Sequence, residues 1–81
     1  MSLEQLRHLL SGVLDAVADT GAHNAEALRL LDDYRRVVVD AQAQAQPWLP
    51  AELGRAVEQL DANQARLDTV RDLLTSYQSR L

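Results

Sequence analysis

The stretch AQAQAQPWLPAELG, Ala41 to Gly54, holds both prolines and the only tryptophan of the 81-residue chain. Gln46-Pro47 must stop a helix, because the residue before proline is pushed out of the α region and proline itself cannot continue the hydrogen-bond ladder. Pro50, three residues on, suits the start of a new helix, where a missing amide hydrogen costs nothing, and Glu52 sits well at the positive end of its dipole. A flexible linker between two domains would be longer and richer in glycine and serine. The stretch therefore reads as a tight bend between two helices, marked by Pro47, Trp48 and Pro50. The indole of Trp48 is expected to cap the end of the apolar seam between them.

On the N-terminal side, apolar or small residues recur at alternating steps of four and three: Leu3, Leu6, Leu10, Val13, Val17, Thr20, Asn24, Ala27, Leu31, Tyr34, Val38, Ala41 and Ala45. A heptad pattern of that length predicts one long amphipathic helix over about residues 3–45. Leu9, Leu14, Leu28, Leu30 and Val37 flank the seam and widen it. Asp15, Asp19, Glu26, Arg29, Asp33, Arg36 and Asp40 mark the wet side. On the C-terminal side Leu53, Leu60, Leu67, Leu74 and Leu81 recur every seven residues, with Ala56, Val70, Leu73 and Tyr77 on one flank and Val57 on the other. That pattern predicts a second helix over about residues 51–80, with Asn63 and Gln64 as polar groups near the middle of its seam.

The weak point is Asp19 to Asn24. Gly21 costs roughly 1 kcal/mol relative to alanine in a helix interior, and Asn24 could cap a new helix. A three-helix bundle with a break near residues 19–24 is thus the alternative. The heptad phase carries through the segment without a slip, which favours continuity. The expected fold is all-α, an antiparallel two-helix hairpin in a single domain spanning residues 1–81, with Thr20 and Asn24 as polar seam residues that fix register.

Composition narrows function. The formal net charge is −4, with eight arginines and no lysine. Without a basic stripe there is no electrostatic footprint for nucleic acid. No apolar run reaches membrane-spanning length, and MSLEQLRHLL lacks the basic start and cleavage pattern of a signal peptide. The expected location is the cytoplasm, or outside the cell by a route independent of a signal peptide. With no cysteine, there is no thiol chemistry or disulfide framework.

His8 and His23 are too far apart to ligate a metal from one helical turn, and no metal-binding motif is present. Asp32-Asp33-Tyr34-Arg35-Arg36 is the densest polar cluster, and mixed charges at helical neighbour spacing read as a solvated surface. There is no glycine-rich loop or nucleophile elbow. The chain is expected to be no enzyme and to need no cofactor or metal.

The MSLEQL start, the heptad helix of about forty residues, the short break, the second helix of about thirty and the ending Tyr77-Gln78-Ser79-Arg80-Leu81 together resemble small helical-hairpin proteins and the N-terminal hairpin modules of actinobacterial polymorphic toxins. These in turn resemble the WXG100 (ESX-type) hairpins of type VII secretion. The WXG100 bend carries Trp-x-Gly where this chain has Trp48-Leu49-Pro50, and the family's export signal pairs a tyrosine with an acidic residue where Tyr77 is followed four positions later by Leu81. The resemblance implies a secretion-associated or toxin-associated adaptor.

A docking or assembly domain that joins larger polypeptides as a helical dimer is the second class of function. Both share one expectation. At about 1.5 Å per residue the first helix outruns the second, leaving an N-terminal overhang with Leu3, Leu6, Leu9, Leu10, Val13, Leu14 and Val17 as the candidate interface. A second copy, or a similar hairpin protein as a heterodimer partner, would cover it.

Overall fold

The computed structural model describes residues 1–42 and 48–81; the expectations for Ala45, Gln46 and Pro47 fall outside the described residues. Helix α1 runs over Leu3–Gln42 and helix α2 over Ala51–Ser79, and the two pack antiparallel into a rod of 62 × 16 × 14 Å. The fold is an all-α two-helix hairpin, with no strand among the described residues.

Local chemistry sets the helix ends. Ser2 and Gln5 form a capping box: the Ser2 Oγ accepts from the Gln5 amide at 3.1 Å, while the Gln5 Oε1 accepts from the Ser2 amide at 2.9 Å. The S-x-x-Q spacing is a sequence signature the periodicity reading passed over. Pro50 stands at the N-cap of α2 in extended conformation (φ −60°, ψ 137°), and its carbonyl accepts from the Leu53 amide at 3.1 Å. The bend is tied by one side chain. Gln42 Oε1 accepts from the Trp48 amide at 2.7 Å and Gln42 Nε2 donates to the Trp48 carbonyl at 2.6 Å, so its amide pairs with the Trp48 backbone as a neighbouring strand would.

The three-helix alternative does not form, because α1 continues through Asp19 to Asn24 without interruption. Asn24 is why this segment belongs in the seam. It is 8% exposed, and its Nδ2 donates both to the Leu60 carbonyl at 2.8 Å and to Gln64 Oε1 at 2.9 Å. Gly21 lies one turn earlier, and a Cβ built there would stand 3.6 Å from Gln64 Nε2, an ordinary van der Waals distance. At the far end the Arg7 guanidinium donates to the Leu81 carbonyl. Asn24 is thus level with Leu60–Gln64 and Arg7 with Leu81.

This register corrects the expected seam. With Leu3, Leu10, Val17, Asn24, Leu31 and Val38 as position a of a heptad, the second column facing α2 is position e, with Leu14, Gly21, Leu28 and Gln42, and not position d. Thr20, Tyr34 and Ala41, expected in the seam, are exposed, and Thr20 turns its Oγ1 back onto the Ala16 carbonyl at 2.8 Å. Leu14 and Leu28, read as flanking, are half-buried seam residues. On α2 the leucine column likewise pairs with Val57, Gln64 and Gln78 at four-residue steps, and Asn63 is exposed.

Since the helix tolerates Gly21 only at a propensity cost, and space exists for a methyl group, Gly21→Ala should stabilise the hairpin by about 0.5–1 kcal/mol, read as a higher urea midpoint with unchanged slope. A loss of stability would mean that Gln64 cannot accommodate the added carbon.

Candidate interaction surface

The hairpin covers little of its own apolar surface. Leu10, at 7% exposure, is the one buried hydrophobic side chain among the described residues. The cause is geometric: a pair of helices offers each only one neighbour, so a helix with apolar residues in several heptad columns hides just those that face across the seam. Of the N-terminal candidate interface, Leu10 is buried and Leu6, Leu14 and Val17 are half-buried against α2, whereas Leu3, Leu9 and Val13 are exposed. Because Leu81 reaches the level of Arg7, the overhang spans little more than the first turn of α1. The covering question therefore concerns a face, not a protruding end.

That face has apolar residues at both ends of α1 and, on α2, toward the end away from the bend. Leu9, Val13, Leu30, Tyr34 and Val37 on α1 and Val70, Leu73 and Tyr77 on α2 are all exposed, with Leu73 at 66% and Val37 at 65%. On α1 these residues fall in columns d and g. On α2, with the leucine column as a, they fall again in d and g. In an antiparallel pair, matching columns lie on the same side of the seam, as g meets g and e meets e in an antiparallel coiled coil. Two clefts on the other side show this arrangement directly. Asp32 and Gly54, both at position b, border one, and Ala18 and Asp68, also both at b, border the other. Among the described residues the b side holds no exposed large hydrophobic residue, so the apolar residues left over by the hairpin gather on one flank.

The sequence reading named Leu9, Leu30 and Val37 as seam flanks and placed Tyr34 in the seam, but did not see that they join Val70, Leu73 and Tyr77 in one stripe. The signal was present: α1 carries apolar residues at a, d, e and g, more columns than one partner helix can use.

The charged residues form a conventional wet surface. Arg29 bridges Glu26 (2.5 Å) and Asp33 (2.8 Å), Asp32 takes Arg35 (3.0 Å) and Arg36 (2.7 Å), and Arg71 lies between Asp68 and Asp72. Side chains there are about half or more exposed, so each pair contributes little. The hydrogen bond from Arg29 holds the Glu26 carboxyl below its ordinary range, and Glu26 in turn raises the guanidinium. A lowered carboxyl favours the folded state above its unfolded pKa, and that contribution fades as acid protonates it. His8 and His23 are both exposed on α1, fifteen residues apart and hence about 22 Å along the axis. No described helix is long and apolar enough to cross a membrane.

At the bend, Pro50 is half-buried and lines the cleft formed with Leu28, Leu31, Leu49 and Leu53, whereas Trp48 is 70% exposed. The expected capping role of the indole is overturned. Gln42 pairs with the Trp48 backbone, and the half-buried Leu49 and Pro50 take the place at the end of the seam. No protein-family model matches the chain, and neither a curated protein nor a solved structure matches it.

With its ring in water, Trp48 should emit like free tryptophan in the native protein, and Trp48→Ala should change stability by less than about 0.5 kcal/mol. Blue-shifted emission at concentrations where the chain is a monomer would restore the capping role.

Proposed function

We propose that this chain is a non-catalytic protein–protein interaction module, a secretion-associated or toxin-associated helical-hairpin adaptor that self-associates. The observation that carries the interaction reading is the apolar stripe together with the surface it belongs to. The hairpin exposes 6220 Å². A compact monomer of 9.0 kDa would expose about 4,850 Å² by the usual size scaling, leaving an excess of roughly 1,400 Å². A standard stable interface hides about 800 Å² per partner, so covering the stripe would remove more than half of that excess. Small domains are short of buried area in any case, and association is the usual remedy in a chain without disulfides. The secretion or toxin association rests on the layout of helix, break and helix and on the resemblance that layout carries. A docking domain that joins larger polypeptides would use the same stripe and differs in what the hairpin is attached to.

Light scattering after size exclusion across a dilution series should give twice the 9.0 kDa chain mass for the wild type. Leu9→Asp with Leu73→Asp, which touches the stripe and spares the seam, should give a monomer. A wild type that is monomeric and cooperatively folded at every concentration would refute the self-association.

A further inference from the structure

The outer edges of the stripe carry opposite charge on the two helices. On α1 the column bordering the stripe is Gln5, Gly12, Asp19, Glu26, Asp33 and Asp40, which holds four carboxylates. Arg29 answers two of them, Glu26 and Asp33, leaving the edge acidic. On α2 the same column is Arg55, Ala62, Thr69 and Ser76, and the neighbouring column g, within the stripe itself, adds Glu52, Arg66 and Arg80, so the outer side of the α2 face carries three arginines and one acid. Each hairpin thus presents a face whose α1 side is acidic and whose α2 side is basic.

Two hairpins can stack face to face by two-fold symmetry in two ways. An axis across the helices puts the α1 of one copy over the α1 of the other, acid against acid and arginine against arginine. An axis parallel to the helices puts α1 over α2, so that each acidic rim meets a basic one. Like charges set opposite each other at an interface cost free energy, and opposite charges steer and fix register.

We propose that the occupant of the stripe is a second copy of this chain, related by a two-fold axis parallel to the helices, with both bends at the same end of a four-helix bundle. The axis preserves height along the rod, so the levels set by Asn24 against Leu60–Gln64 apply between copies as well. Counting along the helices from there, Asp19 of one copy lies level with Arg66 of the other, and Asp33 with Arg55. Every helix then has only antiparallel neighbours, the arrangement that shallow 3-4 packing accommodates. Leu9 and Val13 of one copy then lie level with Leu73 and Tyr77 of the other.

This inference rests on the self-association proposed above, and its test separates the two. The chain has no cysteine, so single substitutions accept a spin label cleanly. Labels on Trp48→Cys at the bend and, separately, on Ser79→Cys at the other end should each give an inter-copy distance below about 30 Å, the width of a four-helix bundle plus the label arms. Both positions are exposed, so neither label disturbs the seam. The crosswise axis would instead separate the Trp48 labels by most of the 62 Å rod. A dimer with that long distance overturns the geometry and leaves self-association standing; a monomer overturns both. Charge supplies a second readout. Arg66→Asp should raise the dimer Kd about fivefold, and Asp19→Arg added to it should return the Kd to near the wild-type value. If the second substitution weakens the dimer further, Asp19 does not face Arg66 and the axis is wrong.

Discussion

The hairpin is organised by one buried amide. Asn24 is the only buried polar side chain among the described residues, and its two donated bonds join the middle of α1 to the Leu60 carbonyl and Gln64 of α2. A buried amide that finds partners in one register and none in its neighbours acts as a selector: sliding α2 by a turn would strand it, at a cost of about 1–3 kcal/mol. A column of leucines repeating every seven residues has no such preference, because a one-heptad slip matches leucine to leucine again. The polar pair in mid-seam therefore supplies what the apolar columns cannot. Gly21 lies beside the same pair, with Gln64 at van der Waals distance from where its Cβ would stand.

Fixing the register and the rotation of α1 also decides what is left outside. Once columns a and e face α2, columns d and g are left largely outside; on α1 they are mostly apolar, and on α2 they hold Val70, Leu73 and Tyr77 among polar residues. Charge divides between the helices, acidic beside the stripe on α1 and basic within and beside it on α2. None of this requires a special residue or a reactive group. It follows from 3.6-residue geometry acting on a sequence with more apolar columns than a two-helix structure can bury.

The sequence made some of this legible and hid the rest for definite reasons. The two helices and their antiparallel return could be read from the prolines and the heptads, because those signals are local. The unbroken run past Gly21 could be read because the phase persists across it. The choice between the d and e columns could not, since Leu6, Val13 and Ala27 in one are about as apolar as Leu14 and Leu28 in the other, and the decision depends on where Gln64 lands from forty residues away. Trp48 misled for a related reason: a lone large aromatic beside a bend suggests a plug, but here the Gln42 amide engages its backbone while the ring is exposed, and Leu49 and Pro50 are the half-buried residues at the end of the seam. The wider interaction surface stayed hidden because exposure on one helix joins exposure on the other only after register is known.

The account stands or falls on the coupling between Asn24 and Gln64, which a double-mutant cycle measures without reference to any partner. Asn24→Ala, Gln64→Ala and the double variant, compared by urea unfolding, should show the single losses failing to add, with an interaction energy of about 0.5–3 kcal/mol. Strict additivity, with no coupling beyond the error of the extrapolation, would mean that the two amides do not meet, and the register, the exposed stripe and its charged rims would have to be assigned anew.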